Sequence, residues 1–96
     1  QKLFDVSSTA SGQCWSLTNY CPVPGPVPTS PANNDYKPGF ATALMLKDMN
    51  LALDAAKSAG VDVSVAERAA KIYSSYSEAG GDGKDFSGII EHIRKS

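Results

Sequence analysis

An all-α fold is what this sequence predicts, as a small bundle of about three main helices plus a proline-rich loop, and three observations carry it. Residues 40–59 place apolar side chains over a wide helical arc, with a polar stripe opposite. Residues 64–78 and 85–95 repeat helical spacing, each opened by a start signal. No stretch alternates as a strand would, and five prolines between positions 21 and 31 exclude that region from a sheet.

At the start, Lys2-Leu3-Phe4-Asp5-Val6 reads as the tail of a helix, and Gly12 as its stop. Residues 14–20 suit one short helical turn. The segment 21–31, Cys-Pro-Val-Pro-Gly-Pro-Val-Pro-Thr-Ser-Pro, can neither continue a helix nor pair in a ladder. It is expected extended or turned, as a surface loop anchored by Trp15, Tyr20, Val23 and Val27. Residues 32–39 are turn chemistry.

The longest helix is expected over 40–59, with Gly60 as its C-cap. Lys47, Asn50, Asp54, Lys57 and Ser58 make the polar stripe. Leu44, Met45, Met49, Leu51, Ala52, Leu53, Ala55, Ala56 and Ala59 fill the arc, which is wide enough to predict burial on several sides. Asp48 falls inside it, and a carboxylate buried there needs a partner. Ser64-Val65-Ala66-Glu67 has capping-box form, with Ser64 as N-cap and Val63 as staple. Its helix is expected to turn Val65, Ala66, Ala69, Ile72, Tyr73 and Tyr76 inward and to end at the glycines of 79–83. Asp85-Phe86-Ser87 opens the last helix, with Phe86, Ile89, Ile90 and Ile93 as its core face and Arg94 and Lys95 at its end.

The chain of 96 residues is 42% hydrophobic and 20% charged, a globular composition for one domain. A net charge of −1 gives no electrostatic reason to expect nucleic acid or an anionic membrane as partner. Cys14 and Cys21 have neither redox nor zinc spacing and read as reduced thiols, with a loop-closing disulfide as the rival. A single histidine, His92, excludes a histidine-rich metal site, and no serine has a nucleophile-elbow context. Gly80-Gly81-Asp82-Gly83 is not a phosphate loop, because it does not join a strand to a long helix. Taken by composition alone, Lys47 is a solvated lysine. No catalytic constellation can be assembled.

The run Phe40-Ala-Thr-Ala-Leu-Met-Leu-Lys47-Asp48-Met-Asn-Leu-Ala52 resembles the F-x-x-x-L-M-x-K-D-L-x-L-A signature of the β-hydroxyacid dehydrogenase family. It departs at Met49, where leucine is usual, a volume-conserving change. Ser11-Gly12-Gln13-Cys14-Trp15-Ser16, Tyr20, Pro22-Val23-Pro24-Gly25, Pro31-Ala32-Asn33-Asn34 and Lys84-Asp85-Phe86-Ser87 are similar to the 3-hydroxyisobutyrate dehydrogenase subgroup. The resemblance spans nearly the whole chain. It implies the C-terminal helical domain of a two-domain enzyme, roughly its last third. The N-terminal Rossmann domain, which binds NAD, and the first long helix of the helical domain, which carries the catalytic lysine, would lie outside this sequence. The reaction implied is oxidation of 3-hydroxyisobutyrate to methylmalonate semialdehyde in valine degradation. 3-Hydroxypropionate, serine or tartronate semialdehyde are alternative substrates within the family. By position, Lys47 matches the cofactor-contacting lysine, Asp48 its acidic neighbour, and Phe40 an aromatic at the cleft rim. Trp15 and the Asn33-Asn34 pair would lie near the substrate, or merely fix the proline loop. The expected compartment is bacterial cytoplasm, or the mitochondrial matrix in a eukaryote. The expected partners are a small hydroxyacid and further copies of the chain in a homo-oligomer. The rival from another class is a free-standing helical module that dimerises or binds a partner through the apolar arc.

Overall fold

The computed structural model describes residues 1–95. Its regular elements are helices, and among the described residues the nearest approach to a sheet is a single antiparallel bridge between Ala41 and Asp85. The helices are α1 (Lys2–Ser7), α2 (Trp15–Tyr20), α3 (Thr42–Ala59), α4 (Ser64–Tyr76) and α5 (Ile89–Lys95). Short helical turns of tighter or wider pitch occupy Pro31–Asn34, Ser77–Gly81 and Phe86–Gly88.

Helices α3 and α4 form the main packed pair, joined by residues 60–63. The C-cap of α3 is Gly60 at φ 69°, a left-handed conformation that glycine adopts without a Cβ clash. The start of α3 is set from a distance. Thr42 and Ala43 donate their backbone N–H groups to the carbonyls of Lys84 and Asp82, at 2.9 and 3.2 Å. Those are orphan donors of a first turn, satisfied here by the chain that precedes α5. Phe40 is excluded from the helix because its carbonyl accepts from the Phe86 N–H at 2.9 Å.

Several local expectations are revised. Helix α1 ends at Ser7, so Gly12 lies in a turn and is not its cap. The capping box at Ser64 does not form: the Ser64 N–H donates to Asp62 Oδ1 at 3.1 Å, and no side chain of α4 closes back on it. Asp62 wins because its shorter Asx geometry meets the same donor from outside the helix. On α4 the buried residues are Ala70 and Tyr76, whereas Val65 is 85% exposed and points away from the pair.

The arc of α3 is apolar but not enclosed. Leu44 and Leu51 are 47% and 60% exposed, and Asp48 is exposed too, so it needs no buried partner. The buried apolar side chains among the described residues are Cys21, Ala32, Ala70 and Tyr76. The radius of gyration is 14.6 Å, against about 13 Å for a compact domain of 100 residues. The Tyr76 ring lies so close to Gly88 that an added Cβ there would meet the phenol oxygen.

Candidate functional site

The proline segment is a tied loop. Asn33 bridges it: Oδ1 accepts from the Gly25 N–H at 3.1 Å, and Nδ2 donates to the Val27 carbonyl at 2.8 Å. Tyr36 donates its hydroxyl to the Pro22 carbonyl at 2.7 Å and lies 3.1 Å from Glu91 Oε1 on α5. Burial first, then the Glu91 carboxylate, pushes the Tyr36 phenol up to about 12. Of the expected anchors, Tyr20 is half-buried and serves, while Trp15 is 63% exposed. Asn33 therefore fixes the loop. Cys14 is an exposed free thiol and Cys21 a buried one.

Tyr20 leads from this loop to the foot of α3. Its ring stacks on Trp15 at 5.7 Å and on Phe86 at 5.3 Å, and Phe86 meets Phe40 edge-on at 6.0 Å. Under this aromatic row lies Asp85, with no exposed surface. Its Oδ1 accepts from Tyr20 Oη at 2.5 Å and from the Gly39 and Phe40 N–H groups at 2.9 Å each. Its Oδ2 accepts from the Ser87 N–H at 3.0 Å and from Ser87 Oγ at 2.5 Å. Burial alone would raise the Asp85 carboxyl, but bonds from the Phe40 N–H, Ser87 and Tyr20 outweigh it and hold it below 3.8. The same environment, burial first and then Asp85, pushes Tyr20 up to about 12.

Phe40 is thus fixed two residues before α3 and half-buried. Lys47 and Asp48 stand on the second turn of α3, both exposed. Neither side chain makes a hydrogen bond or ion pair with the described residues, and the structure does not join either to the Asp85 cluster. His92 lies apart, with Nε2 3.1 Å from Ser75 Oγ and its ring 5.7 Å from that of Tyr76. Among the described residues no group of three or more histidine, cysteine or acidic side chains could hold a metal ion, and no helix is long and apolar enough to cross a membrane. The role of Asp85 is not legible in the sequence, where Lys84-Asp85-Phe86-Ser87 signals only a helix start.

An exposed lysine on α3 and a fixed aromatic group at the foot of the same helix are the features available to a ligand, and no glycine-rich phosphate loop accompanies them. The family described as "NAD-binding of NADP-dependent 3-hydroxyisobutyrate dehydrogenase" matches residues 1–93. The chain belongs to this family. Members of similar sequence include a probable 3-hydroxyisobutyrate dehydrogenase of Mycobacterium tuberculosis, 52% identical over 98% of this chain and 32% of the relative. A probable mitochondrial 3-hydroxyisobutyrate dehydrogenase of Arabidopsis thaliana is 42% identical over 95% of this chain and 26% of its own length. The solved M. tuberculosis 3-hydroxyisobutyrate dehydrogenase with L-serine superposes with a TM-score of 0.90 at 52% identity, covering 96% of this chain and 31% of that one. The chain therefore spans between about a quarter and a third of the length of these relatives.

Proposed function

We propose that this chain is the C-terminal helical domain of an oxidoreductase that oxidises 3-hydroxyisobutyrate to methylmalonate semialdehyde with NAD or NADP, in valine degradation. A Rossmann domain, and the long helix bearing the catalytic lysine, belong to the remainder of the protein. The observation that supports this most directly is the exposed Lys47, without a partner among the described residues, on a helix whose foot is locked by Asp85.

In this reading Lys47 offers its ammonium to the nicotinamide end of the dinucleotide. Phe40 packs at the rim and keeps water from the reacting atoms, and Asp48 stands beside Lys47 on the same exposed turn, as the acidic neighbour of the family motif. A bound nicotinamide supplies the hydride acceptor. The substrate loses that hydride from its carbinol carbon and its hydroxyl proton to the lysine outside this chain. This domain contributes binding and exclusion of water, not proton transfer, so the 96 residues alone should turn over no hydroxyacid.

The relative solved with L-serine favours a second substrate, a serine-like hydroxyacid. The bare apolar arc of α3 supports a homo-oligomer, or contact with the rest of the protein. Relatives named mitochondrial support a matrix location in a eukaryote, and cytoplasm is proposed for a bacterium. The test is dinucleotide binding by the full-length protein, with NAD and NADP separately, and turnover of 3-hydroxyisobutyrate against L-serine. Lys47→Ala should weaken dinucleotide binding. Unchanged affinity would return Lys47 to an ordinary solvated lysine.

A further inference from the structure

The Asp85 carboxylate is fully buried, and no lysine or arginine among the described residues pairs with it. An unpaired buried charge is costly unless its oxygens are saturated with donors. They are saturated: Oδ1 takes three and Oδ2 two. Only an ionised carboxylate can accept all of these, because an amide or a protonated acid turns one edge into a donor. A helix cap alone would need only the Ser87 edge, which a serine or asparagine could supply. The other edge is aimed at Gly39 and Phe40.

Phe40 has both backbone groups committed to this short stretch. Its N–H donates to Asp85 Oδ1 at 2.9 Å, and its carbonyl accepts from the Phe86 N–H at 2.9 Å. Its ring rests edge-on against Phe86 at 6.0 Å. Gly39 is confined as well, since a Cβ there would come within 2.5 Å of Tyr20 Oη. The Phe40 backbone is therefore set by Asp85 and Phe86 outside α3, and its ring is seated against Phe86.

We propose that Asp85 is a positioning residue for the dinucleotide: its Oδ1 edge fixes the Gly39–Phe40 peptide and so holds the Phe40 ring at the cofactor rim. This rests on the cofactor reading of Phe40 given above. Asp85 touches neither cofactor nor substrate and acts only through that peptide. Asp85→Asn keeps the shape but sets an amide N–H₂ against either Ser87 or the Gly39–Phe40 pair. Gly39→Ala displaces the same peptide with the carboxylate intact.

The experiment is a double-mutant cycle on the full-length protein, read as NAD and NADP affinity by titration calorimetry well below each melting temperature. Asp85→Asn and Gly39→Ala should each weaken binding of the preferred dinucleotide at least fivefold. Ala70→Gly, which loosens α4 but removes none of the five donors to Asp85, should stay within twofold at a comparable loss of melting temperature. Phe40→Ala should weaken binding, and adding Asp85→Asn to it should weaken it no further. Asp85→Asn binding as Ala70→Gly does, or adding its full effect on top of Phe40→Ala, overturns the positioning role and leaves the cofactor reading standing. Where Asp85→Asn fails to fold, the cycle of Gly39→Ala with Phe40→Ala decides between the same two outcomes. A wild-type protein that binds neither dinucleotide overturns the cofactor reading and this inference together.

Discussion

At Asp85 and Tyr20 a buried carboxylate and a phenol share one hydrogen bond, and it moves their titrations apart, the acid down and the phenol up. Folding holds Asp85 below its ordinary 3.8. Its contribution to stability is therefore complete above a pH of about 4 and is lost as the pH falls through the lowered native value. Acid unfolding followed by circular dichroism should show a steep loss below that point, and Asp85→Asn should flatten it. The tyrosines behave in the opposite sense. Tyr20 and Tyr36 stand at about 12 against 10.0. Their share of stability is complete below pH 10 and fades as the pH climbs toward 12, so the Tyr20→Phe/Tyr36→Phe pair should be less stable at neutral pH yet less sensitive to alkali. Lys47 is a binding prediction rather than a stability one. As an exposed side chain it should leave the melting temperature within about 1 °C, because surface substitutions usually cost under about 0.5 kcal/mol. Its loss should still weaken dinucleotide affinity severalfold. The sequence reveals Lys47 and Phe40 through a linear motif. It hides Asp85, because three of its five donor groups lie outside any local window: Tyr20 is 65 positions away, and Gly39 and Phe40 are 46 and 45 away, while the two Ser87 donors signal only a helix start.

Helix ends separate what local pattern can decide from what tertiary context decides. Gly60 is legible because only a left-handed residue closes α3 there, and Gly60→Ala should cost about 1 kcal/mol in denaturant unfolding. The start of α4 differs from its pattern because two acceptors compete for one N–H and the pattern names only one of them. Since Asp62 holds the Ser64 N–H, Asp62→Ala should cost about 1 kcal/mol and Ser64→Ala very little. The opposite ranking would restore the capping box. The start of α3 moves from Phe40 to Thr42 because its caps are carbonyls of Asp82 and Lys84, which no window around residue 40 contains.

At the scale of the molecule, periodicity records which face of a helix is apolar but not what lies against it. The arc of α3 is legible and its burial is not: Leu44 and Leu51 face outward here, as do Val65 and Val61. Expressed by itself, the 96-residue chain should associate as its concentration rises, and Leu51→Glu should shift light scattering toward monomer. A monomer at all concentrations in the unsubstituted chain would show that the surface does not pair with itself. All-helical architecture, the order of the main helices and the tied proline loop can all be read from side-chain types. The closing of the N-terminal third onto the last helix cannot, since it depends on partners far apart in sequence.

That long-range closure also orders events in time. During synthesis, Tyr20, Gly39 and Phe40 leave the ribosome well before Asp85 does, and until it arrives the foot of α3 has nothing to hold it. Helices α3 and α4 can pair early from neighbouring sequence, but the aromatic row must wait for residues 85–87. A nascent chain arrested short of Asp85 should therefore expose the stretch around residues 15–40 to protease, and one arrested well past Ser87 should protect it.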